Sequence, residues 1–128
     1  MSVLIFFAVS LAGGLGAVLR MVVDGWVKFL VGGSWPWATA IINVTGSLAL
    51  GVVTGLATGH VMGPELQATV GTGFLGGYTT FSTASLEAVT LIQSGRWNAS
   101  LLYAIGLLIV AIAAAGLGMW LGLLIGGD

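Results

Sequence analysis

Charge is nearly absent from this chain, and that feature decides what it can fold into. Among 128 residues there are three Lys/Arg and four Asp/Glu, so 5% of the chain is charged while 58% is hydrophobic. Soluble domains carry roughly 25% charge. A globule this poor in charge would precipitate from water, which argues against a soluble enzyme. The net charge of −1 leaves no basic surface to neutralise phosphates, so nucleic-acid binding is excluded too. No cysteine is present, which removes disulfides, thiolate metal sites and cysteine nucleophiles. What remains is an all-α integral membrane protein in a lipid bilayer. A spanning helix takes about 20 apolar residues, so the chain has room for one domain of four such helices and little else.

Charges, glycines and tryptophans delimit the spans. Four are expected, over about 3–28, 35–58, 65–93 and 97–125. Gly32, Gly33 and Ser34 form the first turn, Gly59 to Pro64 the second, and Ser94, Gly95 and Arg96 the third. Trp35, Pro36 and Trp37 open span two, with the proline expected in the first helical turn and the indoles at headgroup level. No cleaved signal peptide is expected, because no basic stretch precedes the first apolar run. Helix association in lipid relies on small residues. Ser47, Gly51, Gly55 and Gly59 in span two recur at four-residue steps, as do Ala114, Gly118, Gly122 and Gly126 in span four. Both sets predict close backbone approach, within the chain or between chains.

Span three carries the chemistry. From Gly71 to Glu87 it packs four glycines into seven residues, then Thr79, Thr80, Ser82, Thr83 and Ser85. This is a poor helix by propensity, placed at membrane depth. Unpaired backbone groups are not tolerated in hydrocarbon unless they are buried in protein or line water. The stretch is therefore read as unwinding around Gly76 to Thr80, against the alternative of a continuous helix whose hydroxyls bond back to their own carbonyls. In span two, Thr39, Asn43, Gly46 and Ser47 share one helix face. Asn43 is either a helix–helix hydrogen bond or part of a ligand path. Amide and hydroxyl donors with little charge suit a small anion, and Phe81 can present its positive ring edge. Glu87 is the one candidate for a proton carrier, or else a vestibule residue. His60 reads as a surface residue, and no catalytic set has plausible geometry, so no enzyme is expected. The Gly71-x-Gly73-x-x-Gly76 pattern lacks the strand–turn–helix context of a dinucleotide site.

Residues Gly73 to Thr83, reading GFLGGYTTFST, resemble the signature of the Fluc (CrcB) fluoride channel family. Trp35-Pro36-Trp37 with Thr39 and Asn43, Arg20 late in span one, and Gly95-Arg96 before span four resemble that family as well, so the likeness covers essentially the whole chain. The resemblance implies an antiparallel, dual-topology dimer of four-helix subunits, with the third helix broken. It implies passive export of fluoride through two pores along the subunit interface of a prokaryotic plasma membrane. It also implies a structural Na⁺ on the two-fold axis, held by the backbone carbonyls of Gly76 and Thr79 from each subunit. Asn43 would donate to fluoride, Phe81 would gate the pore with its ring edge, and Thr80, Ser82, Thr83, Thr39 and Tyr103 would line it. Arg20 and Glu87 would face vestibules, although snorkelling to the interface accounts for Arg20 equally well.

The chain departs from the family pattern at the pore. Ala84 stands where a second phenylalanine is usual, and Leu107, Ala111 and Ala115 follow Tyr103 where hydroxyls are usual. Lys28 and Arg96 fall on one side of the expected spans, with no Lys or Arg on the other, which predicts one preferred orientation with the N-terminus outside. A homodimer with altered pores and a heterodimer with an oppositely oriented paralogue both stay open. Two rival functions are weighed: a small proton-coupled multidrug exporter, which needs a carboxylate in mid-span one where positions 8–19 have none, and a non-transporting scaffold or assembly subunit.

Overall fold

A computed structural model describes residues 2–33 and 35–127. Ser34 of the first expected turn and the C-terminal Asp128 lie outside the described residues. The elements are α1 (Val3–Val31), α2 (Trp37–Thr58), α3 (Pro64–Gln67), a π-helical segment (Ala68–Leu75), α4 (Gly76–Tyr78), α5 (Phe81–Gln93) and α6 (Trp97–Gly126). No strand occurs among the described residues. Helices α1, α2 and α6 are each long and apolar enough to cross a membrane.

Local chemistry sets the helix ends. The Ser2 hydroxyl accepts from the Ile5 amide to start α1. That helix runs past residue 28, the end expected for it, because Lys28 pairs with Asp24 one turn back at 2.9 Å and the helix stops only at Gly32, whose φ is +65°. Helix α2 starts at Trp37, two residues later than expected. Pro36 is its N-cap rather than part of its first turn, since Pro36 has ψ 63° and its carbonyl accepts from the Ala40 amide. The third path, from α3 through the π-helical segment and α4 to the end of α5, starts with Pro64 in the first turn of α3, one residue earlier than expected. Helix α6 continues to Gly126 and ends on Gly127 in the left-handed conformation.

The glycine stretch of the third path is not simply unwound. Residues 68–75 widen into π turns, with the Gly76 amide reaching back to the Gly71 carbonyl. Residues 76–78 are helical again, and only Thr79 (ψ 158°) and Thr80 (φ −146°, ψ 115°) are extended. Non-helical backbone is therefore confined to two residues, fewer than the five from 76 to 80. Backbone contact with α1 accounts for the helical part. A Cβ on Gly73 would stand 2.9 Å from the Val9 carbonyl, and one on Gly16 would stand 2.9 Å from the Tyr78 amide nitrogen.

Neighbours along the helices give the directions. Gly73 lies against Val9 and Gly77 against Gly13, so α1 and the third path run the same way. Val53 lies near Gly71, Gly46 near Thr79 and Thr39 near Glu87, so α2 runs opposite to the third path. Helix α6 runs with α2, because Gly51 meets Met119, Gly55 meets Gly122 and Gly59 meets Gly126. The two small-residue series thus pack on each other within one chain. The buried set is small and centred on α2, with Ile42 and Thr39 the most enclosed side chains. Most apolar side chains of α1 and α6 face outward, as expected where lipid is the solvent.

Candidate functional site: the junction of α2 with the interrupted third path

The interruption is built around Asn43. Its side-chain amide donates to the Thr80 carbonyl at 2.9 Å, and its carbonyl oxygen accepts from the Thr80 amide at 2.8 Å. One primary amide thereby satisfies both backbone groups of an extended residue, which is what apolar surroundings demand. Asn43 keeps a second N–H beyond this clip. Thr80 is buried, and its hydroxyl accepts from the Thr83 amide at 3.2 Å, so the same residue caps α5. That hydroxyl also donates to Thr83 Oγ1 at 3.1 Å and lies 3.4 Å from Ser82 Oγ. Thr80, Ser82 and Thr83 therefore form one hydroxyl cluster at the start of α5.

The clip has a consequence for the carbonyls before it. In a continuous helix the Thr80 amide would bond the Gly76 carbonyl, but here Asn43 takes it. The Thr79 amide and hydroxyl both bond the Leu75 carbonyl at 3.0 Å, so the Gly76 carbonyl loses the partner that a continuous helix would give it, and no donor among the described residues reaches the Thr79 carbonyl. Gly76 is exposed. No group of three or more His, Cys, Asp or Glu side chains occurs among the described residues. A metal here would depend on backbone oxygens, and bare carbonyls fit a hard cation such as Na⁺.

Two turns further along α5 lies a second polar contact. The Thr39 hydroxyl, almost fully buried on α2, donates to the Glu87 carboxylate. Tyr103 on α6 is also buried. Its hydroxyl faces this pair with no hydrogen-bond partner among the described residues, and its ring meets Trp35 edge-on at 5.9 Å. Glu87, Thr39, Lys28, Trp35 and Thr90 line a cleft of about 520 Å³ at the ends of α1 and α5. Arg20 is half-buried on α1, one turn beyond the Gly16–Tyr78 contact, and no carboxylate pairs with it among the described residues. Phe81 stands apart, because its side chain is 87% exposed beside the interruption.

The structure thus brings Asn43, Thr80, Ser82 and Thr83 into one cluster and Thr39, Glu87 and Tyr103 into another. Arg20 makes no hydrogen bond to either cluster among the described residues, Phe81 has no polar atom to offer one, and Gly76 contributes only its backbone. Two contacts have no counterpart in the reading of the sequence. Thr45 and Tyr78 share a hydrogen bond of 3.0 Å across the same junction, and Ser100 donates to the Ala88 carbonyl at 2.7 Å to tie α6 to α5. Hydroxyls inside apolar spans were the available signal for both, but a lone hydroxyl does not reveal its partner. The hydroxyls that the resemblance leads one to expect after Tyr103 have no equivalent on α6. Leu107, Gly106 and Val110 line an apolar groove of about 410 Å³ against Ile41 and Val44 of α2.

Apolar helices of membrane length, bonded to one another through glycine seams and a few buried polar contacts, define a multi-pass helical membrane protein. Its family is also clear: the profile described as CrcB-like protein, Camphor Resistance (CrcB), matches residues 7–119. The protein named fluoride-specific ion channel FluC 1 of Leifsonia xyli subsp. xyli is 55% identical over 122 residues, covering 95% of this chain and 89% of the relative. FluC of Magnetococcus marinus is 42% identical over 118 residues, covering 91% and 96%. FluC 2 of Nocardia farcinica is 44% identical over 115 residues, covering 89% and 81%. The chain belongs to the CrcB family of prokaryotic multi-pass membrane proteins.

Proposed function

We propose that this chain is a subunit of a passive, fluoride-selective channel that lets fluoride leave the cell. The observation that carries this is the junction at Thr79 and Thr80, where bare carbonyls, a hydroxyl cluster and an outward phenylalanine meet at a two-residue gap between helices. Relatives named as fluoride-specific channels support it. In this proposal the third path is a fourth membrane crossing with its helix broken in the middle. Two antiparallel subunits meet at the break. The carbonyls of Gly76 and Thr79 from each subunit together hold one Na⁺, and a two-fold axis doubles two oxygens to four.

Fluoride would pass the second N–H of Asn43, the edge of the Phe81 ring and the hydroxyls of Thr80, Ser82 and Thr83, with Thr39 and Tyr103 further along. Arg20 would draw anions toward one mouth and Glu87 would face the other. These groups replace water around a small anion without trapping it by full charge.

The apolar groove at Leu107 favours a second level of this proposal, in which the partner is an oppositely oriented paralogue that supplies the polar α6. Numbered names among the relatives, FluC 1 and FluC 2, are in keeping with paired copies.

A fluoride electrode reading on proteoliposomes without a pH gradient is the test. Rapid fluoride efflux with no chloride efflux is expected, either from this chain alone or only after co-reconstitution with the paralogue. Efflux of aromatic cations driven by protons would instead mean an exporter, and no flux in any combination would mean a scaffold.

A further inference from the structure

The proposed function leaves one polar contact beside the interruption without a role. Tyr78 is the last residue of α4, next to extended Thr79, and it is buried. Its ring is wedged against α2 at Gly46, where an added Cβ would lie 3.2 Å from Tyr78 Cδ2. The phenol oxygen lies 3.0 Å from Thr45 Oγ1. Thr45 Oγ1 also lies 2.7 Å from the Ile41 carbonyl and 3.2 Å from that of Ile42. A hydroxyl has one proton and two lone pairs, whereas a carbonyl only accepts. The Thr45 proton therefore goes to the backbone, and the phenol donates to Thr45 Oγ1. The reverse order would leave two oxygens 2.7 Å apart with no proton between them.

Thr45 follows Asn43 by two residues on α2, and Tyr78 precedes Thr80 by two on the third path. The two contacts are thus rungs across one crossing, at the clip and just before the extended pair. The α1 backbone holds α4 on one side, at Gly13 and Gly16, and the hydroxyl pair adds a hold on the α2 side just before the extended residues. We infer that Tyr78 and Thr45 are positioning residues: their hydroxyl pair fixes the end of α4 on α2, which keeps Thr80 in the Asn43 clip and aims the bare carbonyls of Gly76 and Thr79 in one direction. The role of those carbonyls rests on the channel proposed above, while the hold on Thr80 does not.

Amide hydrogen exchange at Thr80, measured in lipid nanodiscs, reads the clip directly, because that amide donates to Asn43. Tyr78→Phe is expected to speed exchange at Thr80 roughly three- to fifteenfold. Thr45→Val should do the same, the double variant should go no further than either single one, and Thr45→Ser should stay near wild type. Fluoride efflux should fall in the same order. Unchanged Thr80 exchange in Tyr78→Phe, or single effects that multiply in the double variant, would overturn the inference. Wild-type vesicles that pass no fluoride would overturn the channel, while the exchange data would still decide the role of the hydroxyl pair.

Discussion

Helix α2 is joined to α6 and to the third path by opposite kinds of chemistry. Toward α6 it presents Gly51 and Gly55, and the backbones touch. An added Cβ on Gly55 would stand 2.9 Å from the Gly122 Cα, and one on Gly118 would stand 3.0 Å from the Val52 amide nitrogen. Along this seam, from Gly51 to Gly59, no side-chain hydrogen bond crosses to α6 among the described residues. Toward the third path the same helix presents Thr39, Asn43 and Thr45, each hydrogen-bonded across to Glu87, Thr80 and Tyr78. Lipid already satisfies apolar surface, so the seam gains only the dispersion of close approach. It fails when an atom is added. The junction gains by pairing groups that lipid cannot pair, and it fails when a donor is removed.

The largest expected effect is on the seam. Gly55→Leu would drive a side chain into the α6 backbone and cost on the order of 5 kcal/mol, seen as loss of folded protein on size exclusion. Asn43→Leu comes next, because it adds no bulk but strands both backbone groups of Thr80. A loss of about 3 kcal/mol in reversible unfolding is expected, together with abolition of fluoride flux. Survival of flux in that variant would break the comparison. Thr39→Val removes the hydroxyl that donates to the half-buried Glu87 carboxylate and should cost about 2 kcal/mol, most of it recovered by adding Glu87→Gln. Phe81→Ala should change stability by less than about 0.5 kcal/mol, since the ring is exposed, yet cut fluoride efflux by at least about tenfold. The smallest effect is a change of sign on α6 itself. An added Cβ at Gly116 meets nothing within 4 Å, so Gly116→Ala should leave stability unchanged or raise it by up to about 1 kcal/mol. A loss comparable to that of Gly55→Leu would mean that this face also packs on something.

Much of this was legible along the chain. The small-residue steps of spans two and four marked the seam because four-residue spacing keeps one helix face in register. The run of glycines and hydroxyls from Gly71 to Thr83 pointed to irregular backbone, since those residues are individually poor helix formers. Asn43 was conspicuous because an amide at membrane depth needs a partner. Partners were less legible. Asn43 is separated from Thr80, Thr39 from Glu87 and Thr45 from Tyr78 by more than thirty residues, so no local pattern connects them. The π turns of 68–75 were equally hidden, because the same glycines serve a wide turn, an unwound strand or a tight packing face.

The amino-acid order alone determined that this chain lives in a bilayer as long helices, because so few charges and so much apolar length have no other stable solvent. It also determined where helix would be weakest. Only the tertiary structure decided how that weakness is used. Docking of α1 on the third path keeps 76–78 helical, and Asn43 takes the Thr80 amide that would have closed the next turn. The unpaired oxygens of Gly76 and Thr79 follow from that one competition between a side chain and the helix ladder. Its outcome depends on where α2 lies, which no stretch of sequence specifies by itself.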